Sequence, residues 1–363
     1  MPRADNRKNT SAHSLPRWHR SNGLPCMTQQ IITWDLGATK CAAGLVEYDK
    51  ITETLTCKTS HSIKLSDATS LEDLITQLET KLGLTMHDAD AICIGGAGYY
   101  DGKSLLLDGA YPYPMLFAEI AHKQQWPSYA VIHDYAPIVC ATFTSYMEQP
   151  HNIKRLNTCQ ISKHGRRVAF GIGTSLGLKD GVLLPSGDFW LGQNEMGHIG
   201  ITMPPLASQQ QLQRHQEIMR FLANNPHEPS HHALTFEKIL SGKGMVRLYQ
   251  FFHPNEQAIT PEQVGMKMRN SQADETLDAF AWYVGLFIGT VQLIFMPKGG
   301  IWVTGGVALH HTEAFDRPEL MDGIYASPAY LAQRETYPLG VLCNLEHALI
   351  GGAYYATKRL LSK

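Results

Sequence analysis

Both halves of the chain begin with a short apolar segment that ends in a turn of small residues. Ile31–Trp34 runs into Asp35-Leu-Gly-Ala-Thr39, and Val168–Ile172 runs into Gly173-Thr-Ser-Leu-Gly177. A second apolar stretch follows each turn, which is typical of two antiparallel strands joined by a tight connection. The recurrence of this unit predicts a duplicated fold.

Strand and helix patterns alternate along the rest of the chain, which predicts an α/β architecture with a parallel or mixed sheet. Further strands are predicted at Ala91–Ile94, Tyr129–Ile132 and Ile301–Thr304. Apolar spacing predicts helices over Leu71–Leu82, Gln209–Leu222, Thr235–Phe252, Leu277–Met296 and His347–Leu361.

Length and composition narrow the class of protein. A chain of 363 residues exceeds the roughly 100–200 residues of one domain, so we expect two domains with a cleft between them. A net charge of −2 argues against a nucleic-acid partner, and no nucleic acid is expected. Seven scattered cysteines without a CxxC pair favour a reducing, cytoplasmic compartment and no zinc site.

Two segments need separate interpretation. Residues 1–26 are polar and basic without an apolar core, so we expect a disordered leader rather than a secretory signal. Ala279–Met296 is uncharged and approaches the ~20 residues of a membrane helix. Because glycines and polar residues interrupt it and Pro297 follows it, we predict a helix buried in the core and no membrane partner.

Three turns at strand ends are candidate phosphate sites. Asp35, Gly37, Ala38 and Thr39 form the first, where backbone N–H groups could approach phosphate oxygens and Asp35 could hold a hydrated Mg²⁺. The other two consist of Gly173, Thr174, Ser175 and Gly177, and of Gly305 and Gly306. A plain hairpin turn also explains the first motif, and no Walker loop is present.

Asp134 directly follows the strand that we predict at Tyr129–Ile132. A carboxylate at this edge of a sheet lies where α/β proteins place ligands, so it could act as a general base. An N-cap of the following segment is an equally good local explanation, since Asp is a preferred cap.

Three further residues could contact a polar ligand. Glu195 and His198 are spaced to converge on one small molecule, although a plain surface loop explains the same sequence equally well. Glu237, taken by itself, reads better as an exposed helix-face residue. The metalloprotease pattern H-E-x-x-H is absent.

These elements occur in the order and approximate spacing of the bacterial glucokinase family, within the hexokinase/actin-like ATPase superfamily. The resemblance runs from about Ile31 to the end of the chain. The matching segments are DLGAT, IHDY, GIGTSLG, NEMGH, EKILSGKGMVRLY, WVTGG and LIGGAYYA. Because the cysteine-rich zinc motif of the related repressor/kinase family is missing, the chain resembles the zinc-free glucokinase branch.

The resemblance implies two ribonuclease-H-like α/β domains with the active site in the cleft between them. It places the domains at residues 27–144 plus 345–363 and at 145–344. It implies ATP and Mg²⁺ as cofactors, a hexose as substrate, and a homodimer. Asp134 matches the catalytic base, the three glycine turns match the nucleotide site, and the sugar-binding residues are His133, Asp134, Glu195, His198 and Glu237.

Departures from the family concern the sugar. The family usually has Asn before the catalytic Asp, where this chain has His133, and the sugar loop around residues 107–113 is altered. The sequence therefore predicts phosphorylation of glucose, with mannose or glucosamine as other possible substrates. A sugar-binding regulator and an unrelated actin-like ATPase are the remaining interpretations.

Overall fold

A computed structural model describes residues 27–107, 111, 114–201, 204, 207–224, 234–256, 259–327 and 329–362. The predicted leader, most of the altered sugar loop, and the histidines at 227, 231 and 232 lie outside these residues. The strands of the described chain are β1 (Thr28–Leu36), β2 (Lys40–Asp49), β3 (Thr54–Lys64), β4 (Ala91–Gly96), β5 (Gly98–Tyr100), β6 (Leu105–Leu107), β7 (Ser128–His133), β8 (Ile153–Arg155), β9 (Arg167–Ile172), β10 (Leu176–Leu183), β11 (Phe189–Leu191), β12 (Gly300–Thr304) and β13 (Leu339–Leu342).

Helices lie between these strands along the chain, as the sequence predicts, although several follow one another between β11 and β13. They are α1 (Leu71–Leu82), α2 (Phe117–Lys123), α3 (Tyr135–Ala141), α4 (Gln209–Ala223), α5 (Gly242–Phe252), α6 (Pro261–Arg269), α7 (Asp274–Phe295), α8 (Gly306–His310), α9 (Pro318–Tyr325), α10 (Leu331–Arg334) and α11 (His347–Arg359).

Two sheets share one pairing pattern. The first has the order β3-β2-β1-β4-β7 and the second β11-β10-β9-β12-β13-β8. In each sheet, two antiparallel contacts are followed by two parallel contacts, and β8 adds an antiparallel edge to the second. The shared pattern is the duplication that the two strand-turn units predict.

One predicted helix is wrong. Thr235–Phe252 is not continuous, because residues 236–238 form a 3₁₀ turn and α5 begins only at Gly242. The Ser241 side chain accepts a hydrogen bond from Gly244 N at 3.1 Å and donates one to Glu237 O at 2.9 Å. Ser241 is therefore an N-cap that starts a new helix inside an apolar run.

The apolar helix α7 is a core helix. By length and composition it could cross a membrane, yet 78% of its most apolar window is buried inside the protein. Phe287 on α7 packs edge-to-face against Phe170 of β9 with ring centroids 5.1 Å apart. The predicted burial of this helix is confirmed.

Helices α3 and α11 join the two sheets. One cluster of buried side chains combines Cys93 from the first sheet, Val139 from α3, Trp302 from the second sheet and Ala353 from α11. A methyl group added at Gly351 would lie 1.7 Å from Pro137 O, so α3 and α11 touch backbone to backbone there. The proposed domain boundaries remain a prediction, although α11 packs on the first sheet as they require.

Candidate active site

Asp35 and Asp134 lie next to each other at the carboxyl edge of the first sheet. The parallel register places Asp35 opposite Gly95, and Gly96 opposite His133. A methyl group at Gly95 would lie 3.5 Å from Asp134 Cα, so the absence of a side chain keeps this edge open. Burial, followed by the charge of Asp134, raises the pKa of Asp35 to about 6, and Lys40 partly offsets this.

This pair of carboxylates fits a hydrated divalent cation. Lys40 offsets only part of the effect of burial and of Asp134 on the pKa of Asp35. No group of three or more His, Cys, Asp or Glu residues that could hold a metal is found in the described ranges. Mg²⁺ commonly keeps several waters and takes one or two carboxylates plus substrate phosphates, which suits this edge.

The carboxylate of Asp134 is at once a helix cap and an available base. Its Oδ1 accepts a hydrogen bond from Tyr135 N at 3.0 Å, at the start of α3. Its Oδ2 has no hydrogen-bond partner among the described residues, and the side chain is 20% exposed. The two local interpretations of this residue are therefore compatible.

His133 connects the base to the second half of the chain. Its Nδ1 lies 2.9 Å from Asp134 Oδ1, and its Nε2 lies 3.7 Å from Glu195 Oε1. The imidazole thus stands between a carboxylate from the first sheet and one from the loop after β11. A sugar hydroxyl that entered between these carboxylates would meet the ring of His133.

The remaining predicted sugar ligands meet at Leu176, the first residue of β10. Glu237 Oε2 accepts a hydrogen bond from Leu176 N at 3.2 Å. A methyl group at Gly197 would lie 2.1 Å from Leu176 O, so the turn that bears Glu195 and His198 rests on the same backbone. The side chains of Glu195 and His198 are exposed, which leaves them available to a ligand.

The second and third glycine turns are neighbours. Gly305 has φ +96°, and a methyl group there would lie 2.5 Å from Ile172 O, just before Gly173. Gly242 N donates a hydrogen bond to Gly173 O at 2.9 Å. Thr174 and Ser175 are exposed at the tip of the second turn, and Thr39 is exposed at the first. The tips of the first and second turns are therefore accessible to a phosphate group.

Tyr135 joins the base to the second turn, and sequence reasoning missed it. Its hydroxyl donates a hydrogen bond to Gly171 O at 3.2 Å. A methyl group at Gly177 would lie 2.0 Å from Tyr135 Cε2, and one at Gly171 would lie 2.4 Å from its hydroxyl. Because Gly171 and Gly177 are register partners, the ring lies on a side-chain-free part of the β9–β10 hairpin.

Lys179 is a second residue that sequence reasoning missed. It lies in β10 with only 6% of its surface exposed. Burial lowers the pKa of Lys179, while the charges of Glu195, Asp134 and Asp180 act in the opposite direction. The available signal was a lysine within the mostly apolar segment that follows the second glycine turn.

Comparison with known proteins places this arrangement in a family. The sequence matches the glucokinase family over residues 32–359. The chain belongs to the glucokinase family. It is 31% identical to a glucokinase of Agrobacterium fabrum over 202 residues, which are 52% of this chain and 54% of that protein. This alignment therefore spans about half the length of that curated relative.

Solved structures of glucokinases share the fold. A glucokinase from an Antarctic psychrotroph superposes with a TM-score of 0.73 at 18% identity, over 90% of this chain and 98% of that one. A ROK family glucokinase from Streptomyces griseus, in complex with glucose and AMPPNP, gives a TM-score of 0.54 at 16% identity, over 90% and 97%. The predicted fold of two actin-like ATPase domains is confirmed.

Proposed function

We propose that this glucokinase-family protein transfers the γ-phosphoryl group of ATP to a hydroxyl of glucose, with Asp134 as general base. The observation behind the proposal is the Asp134 carboxylate itself. One of its oxygens fixes the start of α3, while the other lacks a hydrogen-bond partner among the described residues. The glucose and AMPPNP in the Streptomyces griseus relative support the same pair of substrates.

The mechanism follows from these positions. Oδ2 of Asp134 accepts the proton of the attacking hydroxyl as the new O–P bond forms and the bond to the leaving ADP breaks. Glu195, His198 and Glu237 hold the other hydroxyls, since carboxylates accept hydrogen bonds and imidazole can donate or accept. Closure of the cleft keeps out water, which would otherwise compete with the sugar.

The nucleotide would lie on the second-sheet side of the cleft. Backbone N–H groups of the turns at Gly37, Gly173 and Gly306 would receive its phosphates. Asp35 would hold Mg²⁺ through water, and the cation would supply charge neutralisation at the transferring phosphoryl group. Phosphoryl transfer depends chiefly on such positioning and electrostatics, so this chain needs no covalent intermediate.

We also propose that the protein acts in the cytoplasm as a homodimer, without a nucleic-acid or membrane partner. The free, unpaired cysteines among the described residues support a reducing compartment. The dimer rests on the resemblance to the family alone. Size-exclusion chromatography with light scattering tests it directly.

A coupled ADP-release assay over a panel of hexoses tests the activity, with wild type compared to Asp134→Asn. Asn is also a good N-cap, so this change should leave α3 folded while it removes the base. We expect the rate to fall about 10²- to 10⁴-fold. Asp73→Asn is the matched control, because Asp73 also accepts hydrogen bonds at a helix start but lies in α1. Turnover that survives Asp134→Asn rules out the base.

A further inference from the structure

Strand register places Lys179 on the face of β10 that meets helix α3. Residues two apart on a strand share a face, so Lys179 projects on the same side as Gly177 and Gly181. Gly177 lies under the Tyr135 ring, and a methyl group at Gly181 would lie 2.9 Å from Val139 Cγ1. The side chain of Lys179 therefore lies at the junction between α3 and the second sheet, beside the base.

Lys179 is largely buried as a residue, and its ammonium group makes no hydrogen bond or close ion pair with any described residue. The carboxylates that act on it are Glu195, Asp134 and Asp180. Asp180 already has partners, since Asn194 Nδ2 donates to its Oδ1 at 3.2 Å and Arg166 Nε lies 3.5 Å from its Oδ2. The two carboxylates that remain for Lys179 are the ones assigned to the sugar.

A charged residue that is largely removed from water costs free energy unless a partner compensates its charge. The charge of Lys179 matters to this site because of the carboxylates around it. Asp134, Glu195 and Glu237 together create a negative field in the cleft. Such a field would attract a sugar that bears an ammonium group and would improve its binding. A fixed positive charge at Lys179 offsets that attraction and adds repulsion against a second cation. Discrimination by an unfavourable contact is a recognised source of specificity.

We propose that Lys179 is a specificity-determining residue of the sugar site, which donates a hydrogen bond to an oxygen of a neutral hexose and repels a hexose bearing an ammonium group. This inference rests on the proposed function and deepens it. It assigns the site to neutral hexoses, of which glucose is one, and excludes amino sugars such as glucosamine.

The test compares wild type with Lys179→Met, Lys179→Gln and Lys179→Arg on three sugars. Glucose is the neutral substrate, glucosamine carries an ammonium group at about pH 6.5, and 2-deoxyglucose controls for the loss of the 2-hydroxyl. Lys154→Met is the matched control variant, because Lys154 is a lysine of the same sheet whose ion pair with Asp316 at 2.7 Å lies outside the site.

We expect Lys179→Met and Lys179→Gln to lower kcat/KM for glucose about tenfold, mainly through KM. We expect the ratio of kcat/KM for glucosamine to that for 2-deoxyglucose to rise about tenfold. Lys179→Arg should keep the wild-type ratio, because it keeps the charge, and Lys154→Met should leave all constants unchanged. An unchanged ratio in folded Lys179→Met or Lys179→Gln protein overturns the inference.

Failure of the inference can be distinguished from failure of the proposed function. If wild type phosphorylates no hexose, the proposed function is wrong. Titration calorimetry of the same sugars then measures the discrimination without turnover. For each protein, the compared quantity is the ratio of its affinity for glucosamine to its affinity for 2-deoxyglucose. If this ratio is the same in wild type and Lys179→Gln, the role of Lys179 is refuted.

Discussion

Replacement of Gly177 by Ala tests the contact between the Tyr135 ring and the β9–β10 hairpin. The added methyl group would lie 2.0 Å from Tyr135 Cε2. Carbon atoms pack at about 3.5 Å or more, so the ring must move by roughly 1.5 Å. Asp134 precedes Tyr135 and accepts a hydrogen bond from its backbone N–H at 3.0 Å, so we expect the base to move with it.

The expected effect follows from this displacement. Overpacking in a tight contact costs about 1–3 kcal/mol of stability, and a misplacement of about 1 Å at a reacting group can lower a rate about a hundredfold. We therefore expect Gly177→Ala to fold with a Tm lowered by a few degrees, and to lose about a hundredfold in kcat. Three of the five proposed sugar ligands, Glu195, His198 and Glu237, lie on other segments, so glucose affinity should change less than kcat.

The assay combines steady-state kinetics with glucose titration calorimetry on Gly177→Ala and on Gly200→Ala. Gly200 is the matched control, because the nearest atom to an added methyl group there is Leu234 O at 3.9 Å. Replacement of Tyr135 by Leu in the Gly177→Ala background should recover stability by removing the clash, without recovering kcat. A Gly177→Ala enzyme with wild-type kcat would show that the ring does not position the base.

Two further predictions concern the packing between the sheets. Burial lowers the pKa of His347 to about 4, and its Nε2 lies 2.8 Å from Thr304 Oγ1. Between about pH 6.5 and 4 the His347 imidazole is protonated in the unfolded chain but stays neutral in the folded chain. The free energy of unfolding therefore falls with acidification, by about 2 kcal/mol at pH 5. Urea unfolding of His347→Gln should show a shallower acid loss in this window, and an identical pH dependence would contradict the assignment. Gly351→Ala should lower Tm strongly because its methyl group would meet Pro137 O, whereas Gly352→Ala, whose methyl group would lie 3.4 Å from Thr33 Cβ, should be tolerated. Similar Tm values for the two variants would disprove the backbone contact between α3 and α11.

Local patterns predicted the framework of this fold well. Helix α1 begins after the Ser70 cap and ends before Gly83, as its apolar spacing indicates. Strands β4 and β7 end at Gly96 and His133, so the sheet edge with Asp134 was predictable. The break before α5 was missed, because Ser241 acts as a cap inside a run whose apolar spacing continues across it.

The environment of the site was less predictable than its members. Strand-end carboxylates are visible in a sequence, but the contact of Tyr135 with Gly171 and Gly177 depends on how α3 docks on the other sheet. The position of Lys179 beside Asp134 depends on the same docking. A single sequence contains local periodicity but no signal for a contact between α3 and the second sheet. The position of the Lys179 charge among the carboxylates of the cleft is therefore visible only in the folded chain.

The backbone contact between α3 and α11 has a consequence for the order of events during synthesis. The ribosome releases helix α3, which Asp134 caps, long before it releases Gly351, the residue on which that helix rests. Until then the apolar side of α3, including Val139, packs against the sheets but lacks its contact with α11. The nascent protein should therefore hold its catalytic aspartate on an unsupported helix and become competent only after α11 has left the ribosome. A ribosome-stalled chain that ends before His347 offers a direct view of that immature state.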